Sequence, residues 1–404
     1  MALRIVATRP NPALVTLPWD TPLEEWGDDV VVQLPRGLSR HVVRIVRLGS
    51  DVYAVKETRE HYAFREYRLL RDLRRLGLPS VEPVGVVAGR VGRDGAEIEP
   101  CLVTRHLHFS LPYRSLFSYG LPSENLPSLV DALVALLVRL HLAGFYWGDV
   151  SLSNVLFRRS AGAFTAYLVD AETGELHQTL SPGQREYDLD LAVTNIFGEL
   201  LDLQAGALLD EAVDAQSIAE LVRSRYEALW SELTGADEFT THEIWRIEKR
   251  IERLNELGFD IDELDIVTDW DGATVRMQPR VVEAGHHSRQ LQGLTGLLVE
   301  DNQARRLLND MAAYAAHLGR GGEDRAVVAH RWLTEIYEPI IALIPSGLRR
   351  RLEPAEVFHQ VLEHRWYLSE RAGRAVPLLD AAASYVEDVL TQRPDEALAA
   401  EPPT

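Results

Sequence analysis

An aspartate, four residues and an asparagine lie in the segment LHLAGFYWGDVSLSNVLF, residues 140–157, and a second aspartate closes YLVDAE, residues 167–172. These residue types suit phosphoryl transfer, where a protein makes few covalent bonds and contributes positioning and charge neutralisation. Asp149 would orient an acceptor hydroxyl and take its proton. Asn154 and Asp170 would supply a neutral and an anionic oxygen, hard ligands of the kind Mg²⁺ prefers. Such a pair alone is common in solvated hairpin loops. Here Gly148 precedes Asp149, Leu140-His141 and Gly144 form an LH-x2-G lead-in, and Asp170 follows at a strand end.

A second chemical signal is a lysine. Only Lys56 and Lys249 are lysine; every other basic side chain among the 42 is arginine. Lys56 sits in the strand-like VYAVKE, whereas Lys249, in RIEKRIER, reads as a charge on a solvated helix face. A compact ammonium kept against that bias suits a site where a planar guanidinium would not fit.

The order His141, Gly144, Gly148-Asp149, Asn154, Asp170 resembles the catalytic and metal-binding loops of the protein-kinase-like superfamily, in its lipopolysaccharide-core (Kdo/heptose) sugar kinase branch. The resemblance implies ATP and Mg²⁺ as cofactors, Asp149 as catalytic residue, and Asn154 and Asp170 as metal ligands. It makes Lys56 the nucleotide-binding lysine, with Glu66 in FREYRLL as its partner and Glu60 second. Gly37 in PRGLSRHVVRIV takes the place of the nucleotide-covering turn, with Ser39, Arg40 and His41 beside it. Ser151 stands where related kinases carry lysine or histidine, so Arg40 is the candidate for positive charge at the phosphates. In YDLDLA, Asp190 is expected to brace the catalytic loop and Asp188 to cap a helix.

Seventeen residues separate Asp170 from Asp188, without an A-P-E signal, and Gly148 replaces the arginine that precedes the catalytic aspartate in regulated protein kinases. A small carbohydrate or lipid-linked acceptor is therefore favoured over a protein. The competing reading is a nucleotide-binding pseudokinase acting as a scaffold, its protein partner recruited through C-terminal helices. The phrases NQARRLLND and LEPAEVFHQVLEHRWYLSE resemble the uncharacterised helical domain that follows a kinase-like module in an actinobacterial family. There Arg276, Arg280, His286, His287 and Arg289 form a basic run that suits an anionic acceptor or pairs with local acids.

The elements that must position these residues begin with short β-branched runs, VVVQL (Val30–Leu34), HVVRIVRL and VYAVKE, separated by Gly/Pro/Asp turns. A helix follows over Glu60–Arg75, with strands at VGVVAG and CLVTRHL, and then an apolar helix over Leu126–Ala143. After residue 188 the pattern turns helical: Ser288–Leu318, Ala326–Leu343, Pro354–Arg371 and Val376–Leu390, with a hairpin about Asp271-Gly272. The expected architecture is α+β: a two-lobed protein-kinase-like domain over 1–235 (N-lobe 28–107, C-lobe 108–235), a mainly α-helical C-terminal domain over 236–391, and a disordered tail over 392–404.

A formal charge of -19 disfavours nucleic acid as partner, because phosphate backbones are bound by clustered positive charge. Cys101 is the single cysteine, which fits a reducing compartment. The opening segment lacks an apolar signal region, and LVALLVRLHLAGF is short for a membrane span and carries Arg139 and His141, so a cytoplasmic location is expected.

Overall fold

The computed structural model describes residues 3–8, 12–28, 30–32, 41–49, 51–235, 237–240, 245–256, 259–268, 274–320 and 322–397. Two compact units emerge: the first is formed chiefly by Met1–Arg158 and Ala166–Tyr226, the second by Arg159–Thr165 and Glu227–Ala399.

The first unit opens with β1 (Arg4–Ala7), β2 (Val43–Leu48) and β3 (Asp51–Glu57), then α1 (Glu60–Arg75) and β4 (Glu82–Ala88). The short β5 (Arg90–Val91) and β6 (Glu97–Ile98) pair with each other before β7 (Cys101–Arg105). The five-stranded sheet has the order β1-β4-β7-β3-β2. Side chains alternate across a pleated strand. Val55 therefore faces one side of the sheet, where it joins Val46, Val87, Cys101 and Val103. Lys56 faces the other side, over which α1 lays Ala63, Glu66, Tyr67, Leu70 and Leu73 at helical period.

The lobe begins earlier than residue 28. β1 pairs with β4, and Leu14, Leu17, Trp19, Leu23 and Trp26 pack into the Val55 face as part of its core. The expected first strand, Val30–Leu34, is reduced among the described residues to a bridge from Val31 to Val46. Arg90 ties this N-terminal segment to the sheet. Its side chain is fully buried and donates to Trp19 O, Thr21 O, Glu99 O and, at 2.6 Å, Glu57 Oε2.

The unit continues with β8 (Ser110–Pro112), α2 (Tyr113–Ser118), α3 (Leu126–Leu142), β9 (Phe145–Tyr146), β10 (Val155–Ser160), β11 (Ala163–Leu168), β12 (Glu175–Leu176), α4 (Pro182–Ala205) and the start of α5 (Ala215–Thr234); α5 from Glu227 on, and the β10–β11 tip, belong to the second unit. The stretch Ser123–Leu142 is longer than expected, and its length and apolar composition would let it cross a membrane. Leu129, Leu133, Leu136, Leu137 and Leu140 are nonetheless buried, as in the core helix of a globular unit. Leu168, at the end of β11, exchanges backbone hydrogen bonds with Pro79 and Val81, just before β4. Asp170 is thereby carried toward Lys56.

The second unit holds β13 (Asp237–Thr240), α6 (Trp245–Glu256), β14 (Phe259–Thr268), β15 (Thr274–Ala284) and α7 to α12 (His286–Thr295, Asp301–His317, Arg325–Trp332, Glu338–Ala342, Pro354–Ala372, Leu378–Asp388). Its sheet has the order β13-β15-β14, and the Asp271-Gly272 turn lies outside the described residues. The run expected as one helix over 288–318 breaks at Gly296, giving α7 and α8. Leu333–Tyr337 forms a π turn between α9 and α10, where Pro339 supplies no N–H to the helical ladder. Trp332, Tyr337, Phe358 and Tyr385 anchor the core. The start of the expected disordered tail is held in place: Glu396 N and Ala397 N donate to Arg350 O, and Glu396 pairs with Arg159 at 2.8 Å.

Removing Arg90 would take the cation from Glu57 and a donor from three carbonyls. Arg90→Met should cost about 3–5 kcal/mol, the scale for breaking a buried pair. A denaturant-midpoint measurement checks this, and adding Glu57→Gln should recover part of the loss.

Candidate active site

The loop that leads into Asp149 is fixed by a buried carboxylate. Asp188, on α4, accepts from Trp147 N and Gly148 N at 2.8 Å each and faces His141 Nε2 at 3.1 Å. A carboxylate only accepts, so His141 Nε2 carries the hydrogen, and the neutral ring's Nδ1 accepts from Tyr226 O–H at 2.7 Å. Burial holds the His141 pKa below the usual value, against the pull of Asp188. The bracing expected of Asp190 therefore falls to Asp188, and neither aspartate caps the helix. Asp190 is exposed and pairs with Arg223 at 2.5 Å, while the helix N-cap is Ser181, which forms a capping box with Gln184.

Two glycines make the loop's path feasible. Gly144 has φ +79 and a Cβ there would lie 2.2 Å from His177 O; Gly148 has φ +77 and sits against Tyr146 and Thr173. Beyond Gly148, Asp149 and Asn154 come together: Asn154 Nδ2 donates to both Asp149 O and Asp149 Oδ2 at 3.0 Å. Ser151 is buried and its hydroxyl accepts from Asn154 N, so it braces the turn and adds no positive charge. Glu199, outside the expected set, accepts from Leu152 N, Ser153 N and the Ser153 hydroxyl. Burial raises its pKa. Asn195 holds Val150 O.

The strand-end aspartate is stitched to the same loop. Trp147 Nε1 donates to Asp170 O, Val169 N donates to Asn154 O, and Thr173 Oγ1 donates to Trp147 O. Lys56 Nζ lies 3.0 Å from Glu66 Oε2 and 2.7 Å from Asp170 Oδ2. Glu172, which also lies outside the expected set, makes a third contact at 3.1 Å and reaches His41 at 3.0 Å. Burial pulls the Lys56 pKa down, but Glu66, Asp170 and Glu172 together hold it above the ordinary lysine range. Burial, reinforced by the Asp170 charge, pushes Glu66 up to about 8. The expected partner Glu66 is thus at Lys56. Gly37 and Arg40 lie outside the described residues.

Oxygens of Glu66, Asp170 and Glu172 lie within 4.8 Å of one another. These three carboxyl groups surround the Lys56 ammonium, and Asp170 among them is a hard anionic ligand of the kind a divalent cation takes. The arrangement can orient a hydroxyl at Asp149 and, across the same loop, receive a charged phosphate ester beside Lys56.

Residues 40–193 match the Lipopolysaccharide kinase (Kdo/WaaP) family, and residues 228–390 match the Domain of unknown function (DUF4032). No curated protein matches the chain. Among solved structures, one titled "WaaP in complex with acyl carrier protein" matches at 17% identity with a TM-score of 0.34, over 63% of this chain and 99% of that one. The family match and the element order describe the first unit as an α+β kinase-like fold, followed by a mainly helical C-terminal region.

The His141 network sets a pH dependence. An unfolded histidine binds a proton near pH 6.5 while the buried ring resists it, so acid favours unfolding. The stability advantage of wild type over His141→Gln should shrink as pH falls from 7 to 5, by at most about 1.4 kcal/mol per pH unit. Thermal midpoints of both proteins across that range test it; a constant difference would assign the ring no titrating role.

Proposed function

We propose that the chain is a kinase-like phosphotransferase that uses ATP and Mg²⁺ in the cytoplasm to phosphorylate a hydroxyl of a small carbohydrate-like or lipid-linked acceptor. The observation that carries the reading is the Lys56–Glu66–Asp170 cluster, stitched through Trp147 to the Asp149–Asn154 pair. It occurs within a segment similar to lipopolysaccharide kinases.

In this reading each group has one task. Glu66 holds Lys56, whose ammonium binds nucleotide phosphate oxygens. Asn154 uses its amide N–H₂ on Asp149, which leaves its Oδ1 for a metal alongside Asp170. The metal, when bound, neutralises charge on the phosphates. Asp149 Oδ2 is fixed by Asn154, so Oδ1 remains to accept the acceptor's proton. Ser151 favours a second reading: with no cation at its position, the unit would hold nucleotide as a scaffold without transferring phosphate.

Asp149→Asn should lower γ-phosphate transfer by about 10²-fold or more, the usual scale for a positioned acid/base group, and leave Mg·ATP affinity unchanged. Asp170→Asn should weaken Mg·ATP binding in calorimetry. Wild-type protein that binds ATP tightly yet transfers γ-label to no acceptor would establish the scaffold. Transfer of α-label would establish nucleotidyl chemistry instead.

A further inference from the structure

The loop from Trp147 to Ser153 is laid along α4 and held at three successive places. Asp188 receives Trp147 N and Gly148 N, Asn195 Nδ2 donates to Val150 O at 3.0 Å, and Glu199 receives Leu152 N and Ser153 N at 2.8 Å each. At 3.6 residues per turn, Asn195 and Glu199 follow Asp188 by about two and three turns, so all three lie on one face of the helix. Asp188 governs the residues before Asp149. Glu199 governs those before Asn154.

Leu152 is buried, which removes its N–H from water and calls for an acceptor within the protein. A glutamate suits two adjacent N–H groups because both of its oxygens only accept. A glutamine would turn its own N–H₂ toward one of them. Burial and the nearby Asp149 charge both disfavour an ionised group here. Three donors offset that cost: the two backbone N–H groups and the Ser153 hydroxyl. The chain then passes directly into Asn154, whose N donates to Ser151 Oγ and whose O accepts from Val169 N. Asn154 Nδ2 is taken up by Asp149, so the path of the turn decides where Oδ1 points.

We infer that Glu199 is a positioning residue for the metal: by holding Leu152 N and Ser153 N it aims Asn154 Oδ1, and it thereby sets the affinity for the divalent cation that accompanies ATP. The assignment rests on the phosphotransfer reading, in which Asn154 and Asp170 share that cation. It adds a residue that touches neither nucleotide nor metal and acts through the backbone of the turn.

Calorimetric titration of ATP into the full chain at graded Mg²⁺ concentrations tests it and requires no acceptor. Glu199→Gln should raise the Mg²⁺ concentration needed for half of the full ATP affinity by about tenfold or more, the scale for losing a group that orients a metal ligand. Its ATP affinity without Mg²⁺ should match wild type, a split that general loosening of the fold does not produce. Glu199→Asp keeps two accepting oxygens and should fall between the two proteins; it carries the same comparison where the glutamine variant does not fold. In an Asn154→Ala background Glu199→Gln should add nothing, because both changes act through one contact. A wild-type Mg²⁺ dependence in Glu199→Gln, or its full effect persisting beside Asn154→Ala, would overturn the assignment and leave the phosphotransfer reading standing. ATP binding by the wild-type chain that ignores Mg²⁺ would overturn both.

Discussion

Asp188 lies wholly inside the protein, and its two oxygens receive two backbone N–H groups and a histidine N–H. Burying a carboxylate is costly unless its hydrogen-bonding capacity is filled, and these partners fill it only when residues 147 and 148 follow one path. That path gives Gly148 its positive φ, starts Asp149 in the right direction and places the Trp147 ring on Asp170 O. The geometry of the candidate site thus depends on a group that touches none of its expected ligands. A hydrophobic residue at 188 would remove the desolvation cost and the instruction together.

Lys56 follows a related logic on the facing side. An ammonium presents donors in three directions and meets three carboxyl groups at 2.7 to 3.1 Å. A guanidinium, planar and wider, would satisfy one carboxylate in a fork and displace the others. Its retention in a chain that otherwise uses arginine almost throughout has this steric reason.

Much of the site was legible because its residues are close in sequence and chemically distinctive. Asp149, Asn154 and Asp170 span a single loop–hairpin segment, and the α1 boundaries followed from apolar period. That Asp188 and not Asp190 braces the loop was not legible. Residues two apart on a helix point to nearly opposite sides, and only the position of α4 decides which points inward. The earlier start of α4 was present in the Ser181–Gln184 capping box. Glu172 resembles any loop glutamate until β11 brings it to Lys56. The N-terminal segment was opaque for a different reason: Arg4 meets Ala88, and Trp19 meets Arg90, through pairings that no local pattern encodes.

The hairpin tip Arg159–Thr165 belongs to the second unit although its strands arise in the first. Ala161 N donates to Glu356, and Arg159 pairs with Glu396, 237 residues later. At about 5–20 residues per second on the ribosome, those partners appear roughly 10–50 s after the tip itself. The strand that follows Asn154 and the one that leads to Asp170 are therefore made long before their connecting turn can settle. The order of synthesis makes the far end of the chain the last contributor to a hairpin begun in its middle.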